Sequence, residues 1–297
     1  MNKKVQAVNS EMSLASDEAM AREISLDSQP RVSVVIPAFN EEARIGSTIS
    51  QWMGFLGEHY SRSYEILVVM DGCTDQTVDV VSKISNQSEG LIISYYFPRK
   101  LGKGGALIEA FRGARGKVLF FTDADCSVPT GELLKFVSTV EKDDVAIGCR
   151  YFKGSDFVDN LPLSRFIFSR GFNALLKIMF PALKHFHDTQ CGAKAIQRHM
   201  LDTLGDDLFI TDFAFDVNLI YAALRHNLSV REIRIKSNHY ENESKISPKL
   251  LKISFAMFLS IVRLRLHYSR FKSLIHSSRL KPLIGLLMRV YHASPLV

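Results

Sequence analysis

Val118-Leu119-Phe120-Phe121-Thr122-Asp123-Ala124-Asp125 is the stretch on which the reading of this chain turns. Its apolar run is short and unbroken, as in a strand buried on both faces. Two carboxylates follow at the strand's carboxyl end, where open α/β sheets hold their ligands. Spaced i and i+2, Asp123 and Asp125 converge on one hard divalent cation if the chain turns there. Such a cation usually sits between one or two carboxylates and a substrate's phosphates. The triplet alone is equally an Asp-rich turn after a strand, so its surroundings decide.

Working outward, apolar strands alternate with helical segments. Residues 32–36, 65–70, 91–97, 118–122 and 145–149 read as strands, and 41–56, 75–85, 105–112 and 132–140 as helices. That alternation predicts βαβ units and a mostly parallel sheet flanked by helices, a Rossmann-like α/β fold. The pattern loosens after Arg150. Residues 163–179 and 213–225 read as helices, 191–196 and 230–235 as strands, and 236–248 as a polar loop. Residues 1–30 are polar and aperiodic, with a short helix around 11–24, and read as an arm. The domain is therefore expected over 31–248, with a separate segment over 249–297.

The chain has 297 residues, 46% hydrophobic and 23% charged, with net charge +6. These values suit a globular protein with a full core. The excess charge belongs to the end of the chain, which has no Asp or Glu after Glu243. Lys252, Arg263, Arg265 and Arg270 are set among apolar residues of 250–271, and Lys281 and Arg289 among those of 280–290. Two basic amphipathic helices of this kind suit an anionic membrane surface. The tail is too apolar for nucleic acid, and no aromatic-basic stacking pattern accompanies it. No apolar run approaches the length of a spanning helix, and no secretory signal is expected. Cys73, Cys126, Cys149 and Cys191 are widely spaced, which predicts reduced thiols rather than zinc or a disulfide framework.

Two more acidic turns end strands on the same sheet edge. Pro37-Ala38-Phe39-Asn40-Glu41-Glu42 follows the first strand, and Asp71-Gly72-Cys73-Thr74-Asp75 the second. Gly72 suits a tight turn and Asp75 a helix cap. Asp71 has no such duty and is a candidate acceptor for a nucleobase or ribose, although strand-to-helix turn chemistry is the alternative. Arg99-Lys100-Leu101-Gly102-Lys103-Gly104-Gly105-Ala106 places glycines and a cation before a helix, where anions bind. It lacks the Walker A spacing, and a flexible join accounts for it equally.

In their order, V-V-I-P-A-F-N-E-E, D-G-C-T-D-Q-T, L-G-K-G-G-A and D-A-D resemble the family 2 glycosyltransferases of the GT-A fold. Ala146-Ile147-Gly148-Cys149-Arg150-Tyr151, Asp188-Thr189-Gln190-Cys191-Gly192-Ala193-Lys194, Phe215-Asp216-Val217-Asn218-Leu219 and the segment 261–271 narrow the resemblance. It is closest to the group acting on polyprenyl phosphates, the dolichyl-phosphate β-glucosyltransferases, with the dolichol-phosphate mannose synthases more distant.

The resemblance implies an inverting hexosyltransferase that uses a nucleotide sugar, Mg²⁺ or Mn²⁺ and a polyprenyl-phosphate acceptor, peripheral on the cytoplasmic face of a bacterial inner membrane or endoplasmic reticulum. UDP-glucose is the favoured donor and GDP-mannose the next. Pro37, Asn40 and Glu41 would line the nucleotide pocket, Asp71 would face the base, and Lys103 would lie near the phosphates. Asp123 would hold ribose or metal, and Asp125 the metal. Arg150, Asp188, Gln190 and Lys194 would surround the sugar and the acceptor phosphate. Met70, Cys73, Ser127 and Asn218 depart from the group's usual residues. Those departures leave the donor and the metal's third protein ligand open, and Met70, Cys73 and Asn218 leave room for an inactive nucleotide-sugar-binding membrane adaptor; a saccharide or protein acceptor is a separate alternative.

A phosphate monoester is largely ionised at neutral pH, so the expected acceptor needs little help from a base. Asp188 is the candidate if one is used; the alternative is that it holds a nearby Arg or Lys. Beside it, His185 and His187 are read as polar loop residues in preference to metal ligands.

Overall fold

The computed structural model describes residues 29–152, 163–237 and 248–269. The expected arm and its short helix, most of the loop over 236–248 and the second amphipathic stretch lie outside them. Seven strands form one sheet: β1 (Val32–Ala38), β2 (Tyr64–Asp71), β3 (Ile92–Phe97), β4 (Val118–Phe121), β5 (Val145–Cys149), β6 (Lys194–Gln197) and β7 (Val230–Arg234). Their order across the sheet is β3-β2-β1-β4-β6-β5-β7. All run parallel except β6, which is antiparallel to both neighbours. The helices are α1 (Ile45–Tyr60), α2 (Thr77–Asn86), α3 (Lys103–Gly113), α4 (Leu133–Val140), α5 (Leu163–Met179), α6 (Met200–Leu204), α7 (Phe215–Arg225) and α8 (Pro248–His267).

The unbroken apolar character of β4 follows from this layout. Successive side chains of a strand point to opposite faces, and both faces of β4 are covered. Phe120 packs on Trp52 of α1 and Phe136 of α4, with ring centroids 5.5 and 5.0 Å away. Phe121 packs on Phe111 of α3 and Phe215 of α7, at 6.0 and 6.2 Å. Burying such a side chain contributes about 1.5–3 kcal/mol.

Three of the differences from the expected boundaries have a visible cause. The helix expected from 41 starts at Ile45, because the loop before it is tied to the neighbouring loop. Glu41 N donates to Thr77 Oγ1 at 2.7 Å and Glu42 N to Asp75 Oδ2 at 3.2 Å. The strand expected from 191 starts at Lys194, since Cys191 and Gly192 form the turn that passes Asp123. The segment after 249 is not separate from the domain at its start. Ala256, Ser260, Ile261 and Leu264 of α8 are buried, with Ile261 and Leu264 in the same core cluster as Phe215. Ser260 donates its hydroxyl hydrogen to Asp212. The opposite face shows Phe255 and Phe258 to solvent, 61% and 37% exposed. Among the described residues, no helix is long and apolar enough to cross a membrane.

Candidate active site

The carboxyl ends of β1, β2 and β4 open onto a cavity of about 890 Å³. Pro37, Glu41, Asp71, Lys103, Asp123, Asp125 and Gln190 all line it, drawn from motifs far apart in the chain. The turn after β4 is fixed from two sides. Thr48 of α1 donates to the carbonyl of Ala124 at 2.7 Å, and Ser127 N donates to Asp125 Oδ1 at 2.9 Å. Both carboxylates of the D-A-D triplet are thereby held on the same wall.

Lys103, the first residue of α3, bridges two acidic groups. Its Nζ lies 2.9 Å from Asp123 Oδ1 and 3.4 Å from Asp216 Oδ2. Asp216, on the first turn of α7, also takes the ammonium of Lys194 at 2.5 Å. Burial opposes the charge on Lys103, but Asp123 and Asp216 outweigh it and hold the ammonium protonated. Burial likewise opposes the Asp123 carboxylate, and Lys103 outweighs it, holding the carboxyl below its usual range. The glycines beside Lys103 serve close packing. A Cβ on Gly102 would overlap Thr211 O, and one on Gly104 would overlap Ile210 O. Gly102 also has φ +86, in the left-handed region that favours glycine.

Several expected site residues do other work. Asp71 does have a structural duty: it accepts hydrogen bonds from Leu101 N at 2.6 Å and Gly102 N at 2.8 Å, pinning the glycine-rich loop to the tip of β2. Asn40 is not among the cavity-lining residues. Its side-chain oxygen accepts from Thr74 N at 2.8 Å and its amide donates to Thr74 Oγ1 at 3.1 Å, lacing the first acidic loop to the second. Lys194 is fully buried, with its ammonium on Asp216 and the carbonyl of Cys191. It does not line the cavity.

Arg150 and Asp188 also stand back from the cavity, joined as a pair. Arg150 Nε and Nη2 donate to Asp188 at 2.7 and 3.0 Å, and Arg150 N adds a third bond at 3.1 Å. Burial pushes the Asp188 carboxyl up, but the Arg150 guanidinium outweighs it and holds the group below the usual carboxylate range. That pairing favours the alternative, in which Asp188 holds an arginine. His187 Nδ1 lies 2.7 Å from Glu232 Oε2, a polar loop contact.

Gln190 differs from these. Its Nε2 is buried and makes no hydrogen bond among the described residues, and the side chain lines the cavity. An unpaired buried donor is costly unless a ligand completes it, so this position suits an oxygen-rich ligand. Asp123 and Asp125 fit a Mg²⁺ or Mn²⁺ ion shared with diphosphate oxygens and water. Among the described residues no third His, Cys, Asp or Glu completes an all-protein metal cluster. Asp212 and Asp216 line the same cavity, and sequence reasoning gave them no role. Asp212 is taken by Ala214 N at 2.8 Å and by Ser260.

The departures from the family pattern have local explanations. Met70 is buried in β2, and the thiol of Cys73 donates to Ala38 O at 3.5 Å. Asn218 Oδ1 accepts from Phe209 N and Ile210 N, while its Nδ2 donates to Asp207 O at 2.7 Å. A glutamate there cannot make that third bond. None of the three lines the cavity.

A model of glycosyl transferase family 2 matches residues 33–205. The chain is 30% identical to the dolichyl-phosphate beta-glucosyltransferase of Dictyostelium discoideum, over 80% of this chain and 74% of that protein. It is 30% identical to the enzyme of the same name from Saccharomyces cerevisiae, over 80% and 75%. Among solved structures, glucosyl-3-phosphoglycerate synthase of Mycobacterium tuberculosis superposes with a TM-score of 0.57 at 19% identity, covering 79% of this chain and 80% of that one. The same enzyme has been crystallised with Mn²⁺, UDP and glucosyl-3-phosphoglycerate.

Proposed function

We propose, because the chain belongs to glycosyl transferase family 2, that it moves glucose from UDP-glucose to a polyprenyl phosphate with inversion at the anomeric carbon. One observation carries the reading. Asp123, Asp125, Lys103 and Gln190 share a single cavity, in a chain similar over four-fifths of its length to dolichyl-phosphate glucosyltransferases.

In the reaction an acceptor phosphate oxygen forms a bond to the sugar's anomeric carbon as the bond to the nucleoside diphosphate breaks on the opposite face. The acceptor is already anionic near pH 7, so no proton has to be removed first. Asp188, held ionised by Arg150, is not needed for that task. A divalent cation held by Asp123 and Asp125 would neutralise charge on the diphosphate. Lys103 donates to the same diphosphate, and Gln190 donates through Nε2 to an oxygen of the sugar or acceptor. Positive charge gathered at the diphosphate stabilises the leaving group; Arg44, Arg99 and Lys100 add to it on the cavity wall.

The lipid part of the acceptor has apolar surface to meet. Phe213 and Met257 line the cavity, and Phe255 and Phe258 lie exposed on the same helix as Met257. This face of α8, with the basic tail, is the proposed contact with the cytoplasmic surface of a membrane. The test is incubation with radiolabelled UDP-glucose, a polyprenyl phosphate and Mn²⁺ or Mg²⁺, with product measured in the organic phase. Label in that phase is expected, lost at least about 100-fold in Asp125→Asn on the scale of a removed electrostatic group. Label transferred only to water-soluble acceptors, or to none with UDP-glucose and GDP-mannose alike, overturns the reading.

A further inference from the structure

We propose that Lys103 is a movable counter-ion, competing with the divalent cation for one oxygen of Asp123 and thereby coupling cation binding to donor binding. The inference rests on the cation site proposed above.

The two oxygens of Asp123 have different surroundings. Oδ2 lies against Gly192, where even a Cβ would overlap it. Oδ1 lies 2.9 Å from Lys103 Nζ. That Cβ would stop 3.1 Å from Oδ1, so Oδ1 is the less crowded of the two oxygens, and an ammonium already holds it. Two cations on one oxygen repel, so an arriving ion and Lys103 contend for the same place.

Lys103 has somewhere else to go. Asp216 Oδ2 is 3.4 Å from its Nζ. Asp216 cannot follow the ammonium outward, because its other oxygen is fastened at 2.5 Å to the fully buried Lys194. One flexible lysine stem thus has two anionic rests: one buried and fixed, the other shared with the cation. A diphosphate in the cavity offers a third. Drawing Lys103 onto the diphosphate frees Asp123, so each ligand improves the site for the other beyond their direct contact. Asp216 is in this scheme a positioning residue.

Mn²⁺ binding to the full chain, read from the electron paramagnetic resonance signal of free Mn²⁺, tests this with and without UDP. Without UDP, Lys103→Met is expected to bind Mn²⁺ about tenfold tighter than the wild type, within the usual range of coupling factors. With saturating UDP the advantage disappears or reverses. An equal advantage in both conditions means simple charge repulsion and overturns the proposal, as does no advantage at all. Failure of both proteins to bind Mn²⁺ even with UDP refutes the cation site itself, a result distinct from a wild type that binds and a variant that binds no tighter. Should Lys103→Met not fold, ¹³C-dimethylated wild-type lysines report instead, with Lys103 assigned by its absence from Lys103→Arg. Its resonance is expected to move on adding Mg²⁺ alone, and a stationary resonance overturns the proposal.

Discussion

Asp188 and Asp123 share a residue type but have different partners, and those partners decide what each can do. Asp188 is almost wholly buried against the guanidinium of Arg150. Its folded pKa lies below the unfolded value near 3.9, so the pair's stabilisation is complete above that value and is lost as pH falls through the lower one. Asp188→Asn is expected to cost about 3–5 kcal/mol, the scale for a broken buried pair, in urea unfolding at pH 7. The gap from the wild type should narrow below about pH 4. Equal stability at pH 7 would contradict the assignment. The sequence singled out Asp123 and Asp125 through their place at a strand tip, and Glu41 through its motif; all three line the cavity. It did not show that Asp71 is spent on the amides of Leu101 and Gly102, or that Lys194 turns inward to Asp216. Those partners lie about 20 to 30 residues away, and a motif fixes position without fixing orientation. Asp216 stood in a quoted motif, but its contact with Lys103 spans 113 residues.

At the scale of elements, β1, β2, β4 and β5 were legible because each is a buried, largely apolar run, and the edge strand β3 because β-formers fill it although only Ile92 is buried. α8 was legible only by half. Its mixture of apolar and basic residues suits both a packed helix and a membrane-surface helix, and it has both kinds of face. Ile261 and Leu264 are buried, while Phe255 and Phe258 are exposed. The paired change Phe255→Asp with Phe258→Asp is expected to leave the thermal midpoint unchanged. Cosedimentation with anionic vesicles should fall at least about tenfold, given about 1.5–3 kcal/mol for each aromatic side chain removed from lipid. Undiminished sedimentation would dismiss this face as the contact.

For the whole molecule, the decisive arrangement is β6 between β4 and β5, reversed against both. The reversal brings the chain into the sheet from the carboxyl edge, so just before β6 begins Gln190 reaches the cavity and Gly192 lies against Asp123. It also sets an order of events during synthesis. β4 and β5 leave the ribosome early, yet neither can pair on its facing edge until the residues of β6 follow. At about 5–20 residues per second, that interval is several seconds of exposed strand edge, a state prone to wrong pairing. A fragment ending at residue 152 is accordingly expected to aggregate on size-exclusion chromatography, and a soluble monomer would argue otherwise. The geometry that delivers Gln190 to the cavity thus makes the nascent protein dependent on prompt completion of its own chain.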